Sequence, residues 1–241
     1  MREDKRSNLE CRELKFEANF MQNSLGSVLV SLNNTKVLCS VNLEDRVPKH
    51  VAASSGWLTA EYAMLPGSTD HRKRRAILQN DKRSVEIQRL IGRSLRAVVN
   101  LDKLGPKTLY IDCDVLQADG STRCTSIIGA NYALNLALYE LKRRGLIENL
   151  DQIKPCELAA VSVGIVDGEI LVDLCQSEDN RAEVDMNVVG TKGFNLIEIQ
   201  GTAEKKTFSK SLAKELIDRA MDVIEDLIDI QLKSLSSFNN N

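Results

Sequence analysis

The sequence contains few of the residues from which metal centres and nucleophilic triads are usually built. It has only two histidines, His50 and His71, and their positions do not match the spacing of a metal-ligand pair. Its six cysteines are scattered without a C-x-x-C pair, most of them within apolar runs. Zinc-type sites and histidine-dependent triads are therefore poorly supported, and the cysteines are expected to be reduced and mostly buried.

Two common phosphate-binding motifs are also missing. The chain has neither G-x-x-x-x-G-K-S/T nor G-x-G-x-x-G, which excludes mononucleotide and dinucleotide cradles of those kinds. No apolar run approaches membrane length, and the charged stretch M-R-E-D-K-R-S-N at the start lacks an apolar signal core. These absences predict a cytoplasmic protein with no membrane partner.

Charge of one sign is not in excess. The chain has 32 lysines and arginines against 34 aspartates and glutamates, a net charge of −2. A surface that binds nucleic acid must therefore be local. Apolar residues make up 43% of the 241 residues, which is enough for a packed core in one large domain or two small ones.

Hydrophobic periodicity predicts strands followed by helices in each half of the chain. In the first half, strands are predicted over 13–20, 26–32, 36–43, 56–65 and 108–117. Helices are predicted from an N-cap at Ser84 to about Asn100, and after Arg123 with one apolar stripe from Ile127 to Leu141. Beyond a polar joint at 149–155, strands over 158–166, 169–174, 184–189 and 196–200 precede a helix over 209–235. The order indicates an α+β fold that resembles a duplicated unit.

The stretch from Glu178 to Val189 contains two aspartates that the pattern brings together. Residues alternate from Val184, so Asp185 would stand on the polar face of a buried strand. Asp179 shares that face if the strand continues, although Asn180 equally favours a turn. Converging carboxylates repel each other unless a proton, a cation or a basic ligand lies between them, which predicts divalent metal binding or acid/base chemistry. The alternative is a turn-capping Asp179 and a solvated Asp185.

The turn A-D-G-S-T-R at 118–123 joins a predicted strand to a predicted helix. Backbone N–H groups and the positive end of the helix dipole favour an anion there. The hydroxyls of Ser121 and Thr122 and the guanidinium of Arg123 would complete a phosphate cradle. Arg83, at the start of the preceding helix, could add a second cation. The alternative is an N-cap hydroxyl beside surface arginines.

A run of basic residues from His71 to Arg75 lies in a polar stretch without periodicity, which predicts an exposed loop. Such runs are usually solvated, but Arg72, Lys73, Arg74 and Arg75 could also contact a nucleic-acid backbone. The phosphate cradle, the carboxylate pair and the basic loop together fit phosphoryl chemistry on a nucleic-acid end.

Longer motifs occur in order along nearly the whole chain: R-S-N (6–8), G-S-V-L-V (26–30), T-K-V-L-C (35–39), G-W-L-T-A-E-Y-A-M-L-P (56–66), E-I-Q-R-L-I-G-R-S-L-R (86–96), D-C-D-V-L-Q-A-D-G-S-T-R (112–123), A-A-V-S-V-G-I-V-D-G-E (159–169), E-D-N-R-A-E-V-D-M-N-V-V (178–189) and E-I-Q-G-T-A-E (198–204). In these motifs the sequence resembles the ribonuclease PH family of bacterial phosphate-dependent exoribonucleases.

The resemblance implies a ribonuclease PH-like, ribosomal protein S5 domain 2-like α+β fold of two similar βαβ-type halves, with mixed sheets packed with helices. It implies a single domain over 1–241 with approximate halves 1–150 and 151–241. The implied activity is phosphate-dependent trimming of the 3′ ends of transfer RNA precursors and other RNAs, releasing nucleoside diphosphates. The implied assembly is a homo-hexamer, a trimer of dimers, with no DNA partner expected.

The resemblance also assigns roles to individual residues. The positions matching the family's catalytic carboxylates, taken to hold a divalent metal expected to be Mg²⁺, are Asp179 and Asp185. The positions matching its sites for the co-substrate inorganic phosphate are Arg83, Ser121, Thr122 and Arg123. The positions matching the transfer RNA-contacting loop are Arg72 and Arg75, with Lys73 and Arg74 in the same basic run.

Four stretches depart from the family pattern. Asp81-Lys82-Arg83-Ser84 stands where Gly-Gly-Arg-Thr is common, although Arg83 is kept. Ser121 stands where a second glycine is common, Gly67 replaces an arginine, and Asn180-Arg181 replaces Ser-Ala and would place a cation beside the first aspartate. A rival hypothesis is a ring-forming, exosome-like subunit that threads RNA with little activity of its own. The enzyme is favoured because the matching carboxylates and phosphate-binding residues are all present.

Overall fold

Two β-sheets, one in each half of the chain, form the framework of the protein. The computed structural model describes residues 2–74 and 82–239. The strands are β1 (Leu14–Ala18), β2 (Gly26–Leu32), β3 (Thr35–Glu44), β4 (Trp57–Met64), β5 (Thr108–Gln117), β6 (Leu158–Val166), β7 (Glu169–Val172), β8 (Val184–Thr191) and β9 (Asn195–Ala203). The helices are α1 (Lys82–Arg96), α2 (Leu101–Leu104), α3 (Thr122–Arg143), α4 (Leu150–Ile153), α5 (Gln176–Asp179) and α6 (Lys210–Asn239).

The first sheet has the strand order β1-β2-β3-β5-β4 and the second has the order β7-β6-β8-β9. The first sheet is mixed: β4 runs parallel to β5, and the other neighbouring strands of that sheet are antiparallel. The second is antiparallel throughout. The α+β class predicted from the sequence is confirmed.

The predicted hairpin turn at Asp167-Gly168 is confirmed, and its backbone explains its composition. Asp167 and Gly168 have φ values of +52° and +81°, as a two-residue hairpin turn requires. Asn33, in the turn between β2 and β3, also has a positive φ, of +47°. Asparagine, aspartate and glycine adopt this left-handed conformation more readily than other residues.

Helix α3 lies between the two sheets and packs against β2, β3 and β6. Of its 22 residues, 17 are buried, so the prediction of a single apolar stripe underestimated its burial. The reason is that a sheet covers each side of the helix. Helix α6 packs on β6 and β8, and α1 packs on β4. Because α3 is held on both sides, its N-terminus has a fixed place between the two halves.

The bounds of α1 differ from the prediction at both ends. The helix includes Lys82, so Ser84 lies in its first turn and is not an N-cap, and Arg83 belongs to the helix. It ends at Arg96 instead of continuing to Asn100. The N–H of Asn100 instead donates to the carbonyl of Ile153 at 2.6 Å, which draws the chain away from the helical path.

The buried apolar residues form one large cluster that runs from Leu14 of β1 to Leu235 of α6. Both sheets contribute to it. The single domain over 1–241 and its division into halves at about residue 150 both remain predictions. Within the part of the chain that the structure describes, no helix combines the length and the apolar character needed to cross a membrane.

Candidate active site

A polar cleft of about 250 Å³ lies where the N-terminus of α3 faces the start of β8. Its lining includes all six residues predicted as catalytic carboxylates or phosphate ligands: Asp179, Asp185, Arg83, Ser121, Thr122 and Arg123. Four further lining residues were not predicted: Ser162, Leu174, Asn187 and Glu204. A larger cavity of about 710 Å³, between residues 9–14 and α6, contains none of the predicted site residues. The residues predicted from separate motifs therefore meet in one place.

The turn before α3 approaches the segment after β7 so closely that only glycine fits at one position. Gly120 has a φ of +72°, and a Cβ atom there would lie 2.5 Å from the carbonyl oxygen of Leu174. Ser121 follows with a φ of +53°, and the helix begins at Thr122. A left-handed residue followed by helical ones directs successive N–H groups into one concavity, and the first N–H groups of a helix have no intrahelical acceptor. This backbone is suited to an anion.

The hydroxyl of Ser121 is engaged within the protein. It donates to Asp173 Oδ1 at 3.0 Å or to the carbonyl of Leu174 at 3.1 Å, and it lies 2.8 Å from the hydroxyl of Ser162. These bonds tie the start of α3 to the second half of the chain. A contact of Ser121 with phosphate, which remains a prediction, would therefore use its backbone N–H. The left-handed φ of Ser121 is one that glycine adopts readily, which agrees with the glycine that the family resemblance implies at this position.

Arg123 is held at the edge of the cleft by two neighbours. Its Nη1 donates to Gln200 Oε1 at 2.8 Å and pairs with Glu86 Oε1 at 3.2 Å. The amide nitrogen of Gln200 donates in turn to Glu198 at 3.1 Å, and Arg93 Nε donates to the same carboxylate at 2.9 Å. A chain of polar contacts thus runs from α1 through β9 to α3. Neither Gln200 nor Glu198 was predicted to belong to the site, although E-I-Q at 198–200 places both on one face of a strand.

The other two predicted phosphate-binding residues also reach the cleft. Thr122 is 5% exposed, and its Oγ1 accepts a hydrogen bond from the phenol of Tyr62 at 3.1 Å. Arg83 is exposed in the first turn of α1 and lines the cleft. Two cations, a hydroxyl and the N-terminus of a buried helix thus surround one space.

Asp185 occupies the face of β8 that the alternation predicted. It lies opposite Gly164 of β6 and Thr202 of β9. Asn187, two residues later, accepts a hydrogen bond from the thiol of Cys124 in α3 at 3.2 Å, so this face of the strand points towards the N-terminus of that helix. Burial raises the pKa of Asp185 to about 6, and the nearby charge of Asp179 adds to the increase.

Asp179 reaches the same cleft from a turn. It is the last residue of the short helix α5, and the chain then turns back, with the N–H of Ala182 donating to the Asp179 carbonyl at 3.1 Å. Of the two interpretations that the sequence left open, the turn is correct and the continued strand is wrong. Partial burial of the carboxyl group raises the pKa of Asp179, and the charges of Arg83 and Arg123 oppose that increase.

The residue before Asp179 anchors this turn. Glu178 and Arg2 form a bidentate ion pair, with both N–O distances at 2.8 Å and both side chains 2% exposed. Arg2 also donates to the carbonyl oxygens of Val172 and Asp173. The N-terminal segment therefore holds the segment that carries Asp179. This ion pair was not predicted, because no local pattern links residues that are 176 positions apart in the chain.

Arg181 does not pair with Asp179, although the departure from the family pattern predicted a cation there. It pairs with Asp167 in the turn between β6 and β7, at 3.6 Å, instead of with Asp179. Both partners of this pair are largely exposed. The departure from Ser-Ala at this point therefore leaves the carboxylate pair without an added cation.

The basic loop lies apart from the lining of the cleft. Arg72 and Arg74 are exposed and Lys73 is partly buried, with its N–H bonded to the Pro66 carbonyl at 2.9 Å. None of these three residues lines the cleft. Arg75 lies outside the described residues. The assignment of this loop to RNA binding remains a prediction.

The two aspartates form an incomplete set of metal ligands. Within residues 2–74 and 82–239, no group of three or more His, Cys, Asp and Glu side chains is arranged to hold a metal ion. Mg²⁺, however, is commonly held by one or two carboxylates together with water and substrate phosphates. Burial is the main reason that the pKa of each aspartate is raised, and a bound cation would favour the charged form of both carboxyl groups. The two aspartates therefore fit a divalent cation whose other ligands would come from substrate and water.

Two models of known protein domains match most of the chain. Residues 10–140 match the model of the 3′ exoribonuclease family, domain 1, and residues 156–223 match domain 2 of the same family. The chain is 46% identical over 236 residues to ribonuclease PH of Crocosphaera subtropica, covering 98% of each chain. It is 48% identical over 241 residues to ribonuclease PH of a Geobacillus species, covering 98% of this chain and 93% of the relative.

A solved structure described as the Archaeoglobus fulgidus exosome with RNA bound to the active site has the same fold. The TM-score is 0.78 at 22% identity, covering 94% of this chain and 91% of that one. The fold and the two matched domains thus define a 3′ exoribonuclease. At 46–48% identity over nearly the full length, the chain belongs to the ribonuclease PH family.

Proposed function

We propose that the chain is a phosphate-dependent 3′ to 5′ exoribonuclease that trims the 3′ ends of transfer RNA precursors and other RNAs at this cleft. The observation that carries the proposal is the convergence of Arg123, Thr122 and the N-terminus of α3 with Asp179 and Asp185. An anion site beside paired carboxylates is suited to bringing inorganic phosphate against a phosphodiester. Membership of the ribonuclease PH family supports phosphorolysis over hydrolysis.

The phosphate ion is the nucleophile. Arg83, Arg123 and the hydroxyl of Thr122 bind and orient it at the helix N-terminus. One of its oxygens forms a bond to the phosphorus of the last phosphodiester, and the bond from that phosphorus to the 3′-oxygen of the preceding nucleotide breaks. The terminal nucleotide leaves as a nucleoside diphosphate. The 3′-oxygen takes a proton and becomes the new RNA end.

The two carboxylates are proposed to bind a metal ion next to the reacting phosphodiester. Asp179 and Asp185 hold the divalent cation, for which we propose Mg²⁺. When bound, it offsets negative charge on the reacting phosphate groups, a contribution of several kcal/mol. Without the carboxylates and their cation, only the arginines would offset the repulsion between the phosphate ion and the phosphodiester. Because the carboxylates line the same cleft as the phosphate cradle, both can act on one phosphorus atom.

RNA binding and assembly complete the proposal. The basic loop with Arg72, Lys73, Arg74 and Arg75 contacts the RNA backbone and places its end in the cleft. The enzyme is a homo-hexamer built as a trimer of dimers, it acts in the cytoplasm, and it uses RNA and not DNA. The fold shared with an exosome subunit is consistent with a ring. A ring subunit with little activity is less well supported, because the similar relatives at 46–48% identity are ribonucleases PH.

The test is to incubate the purified protein with a 3′-extended transfer RNA and Mg²⁺, with and without inorganic phosphate, and to identify the released nucleotide. We expect nucleoside diphosphates that appear only with phosphate. Nucleoside monophosphates would instead mean hydrolysis, and no product would favour the exosome-like subunit. A DNA oligonucleotide of the same sequence tests the preference for RNA. Analytical sedimentation of the purified protein tests the hexamer.

A further inference from the structure

Tyr62 lies directly beneath the phosphate cradle without lining it. It belongs to β4, is 4% exposed, and its phenol donates to Thr122 Oγ1 at 3.1 Å. The two residues are 60 positions apart in the chain. The bond therefore links a strand of the first sheet to the first residue of α3.

The direction of this bond is fixed by its geometry. The phenol of Tyr62 is placed to donate and Thr122 to accept. At the other buried tyrosine hydroxyl, Tyr132 and Ser234 lie 2.9 Å apart and either group can donate. Burial also raises the pKa of Tyr62, so its phenol keeps its proton at neutral pH and above.

A hydroxyl has one proton to donate and two lone pairs with which to accept. Since Tyr62 occupies a lone pair of Thr122 Oγ1, the proton of Thr122 must point elsewhere. Among the residues that the structure describes, no acceptor takes that proton, and Thr122 lines the cleft. The arrangement leaves the Thr122 hydroxyl as a donor directed at an anion in the cleft.

We propose that Tyr62 is a positioning residue for phosphate, which acts by orienting the hydroxyl of Thr122 as a donor into the cleft. The inference rests on the proposed function for the identity of the anion. It adds a residue that touches neither phosphate nor RNA, and it assigns a role to the tyrosine of the motif A-E-Y-A-M at 60–64. A purely structural role would stabilise the contact of β4 with α3 without changing phosphate binding.

The Tyr62→Phe variant removes only the phenol oxygen, and Tyr132→Phe is a matched control that removes a buried tyrosine hydroxyl elsewhere. Two measurements on the wild type and both variants separate the roles. One is calorimetric titration with inorganic phosphate. The other is the KM for phosphate and for RNA in the release of nucleoside diphosphates. Thermal unfolding is recorded alongside both.

We expect Tyr62→Phe to weaken phosphate binding and raise the KM for phosphate by roughly three- to tenfold, as for the loss of one hydrogen bond. The KM for RNA is expected to stay the same, and Tyr132→Phe to bind phosphate as the wild type does. Combining Tyr62→Phe with Thr122→Val should raise the KM for phosphate no further than Thr122→Val alone, because both changes remove the same donor.

Unchanged phosphate binding in Tyr62→Phe, or equal weakening in Tyr132→Phe, would overturn the positioning role while leaving the proposed function intact. The positioning role would also be overturned if the increases in the KM for phosphate from Tyr62→Phe and Thr122→Val multiplied in the double variant. If the wild type binds phosphate but releases no nucleoside diphosphate, the proposed function fails. The titration would then still decide whether Tyr62 orients Thr122.

Discussion

Arg12 and Asp173 form a buried ion pair, with Nη2 and Oδ1 2.7 Å apart and both side chains at most 2% exposed. The same Asp173 oxygen lies 3.0 Å from the hydroxyl of Ser121. One carboxylate therefore joins the N-terminal segment, the segment after β7 and the start of α3. The backbone of the phosphate cradle depends on a pair formed outside the cleft.

This pair predicts a pH-dependent contribution to stability. Burial raises the pKa of Asp173, but hydrogen bonds and charge from Arg12 outweigh that effect, and the net pKa is lowered. A carboxyl group whose pKa is lower in the folded state stabilises the protein above the pKa of the unfolded chain, about 4. That stabilisation is lost as the pH falls through the lower pKa of the folded state.

Asp173→Asn should therefore reduce the free energy of unfolding by about 3–5 kcal/mol at pH 7, because it leaves Arg12 buried without its counter-charge. The deficit relative to the wild type should shrink below about pH 4. Urea unfolding between pH 3 and pH 7 measures it. Asp167→Asn, at an exposed ion pair, is the control and should cost less than about 1 kcal/mol. A deficit that is constant with pH would contradict the assignment.

Asp185→Asn should lower kcat by roughly 100-fold or more while RNA binding is largely kept. The substitution preserves the shape of the side chain and removes a charge that acts mainly in the transition state. Single-turnover phosphorolysis and fluorescence anisotropy with labelled RNA make the comparison. Asn187→Asp, on the same strand face, tests whether any change in charge there has the same effect. An equal loss of RNA binding in Asp185→Asn would indicate a structural role.

Arg123→Ala should raise the KM for phosphate by about 10- to 100-fold, as for the loss of a charge-assisted hydrogen bond. The KM for RNA should change much less. Arg89→Ala, which removes an exposed arginine from α1 outside the cleft lining, is the control for the loss of one positive charge. The phosphate cradle would be wrongly assigned if Arg123→Ala showed the phosphate dependence of the wild type.

Replacing Arg72, Lys73 and Arg74 together by alanine should weaken RNA binding and leave the KM for phosphate unchanged. Each lost phosphate contact should also reduce the slope of log K against log salt concentration by about 0.7. Binding titrations at several salt concentrations measure this slope. Lys214→Ala on α6 serves as a surface control. A slope identical to that of the wild type would show that the loop does not contact the RNA backbone.

The sequence by itself determined the parts of the site that depend on local geometry. The alternation around Asp185 placed it on the polar face of its strand. Asp167-Gly168 specified a hairpin turn in which both residues have positive φ values. Side-chain periodicity and allowed φ values are properties of a few consecutive residues, so a short stretch can encode them. The turn at 118–123 and the start of a helix directly after it followed in the same way.

Tertiary structure alone decided which of these local pieces meet. Asp179 joins Asp185 because a turn, held by Arg2 through Glu178, returns the chain to the cleft. The partners of Arg123 and Thr122, Gln200 and Tyr62, come from opposite halves of the chain. These contacts depend on how two sheets pack around one buried helix, which is set by many weak interactions between distant residues and not by any local pattern.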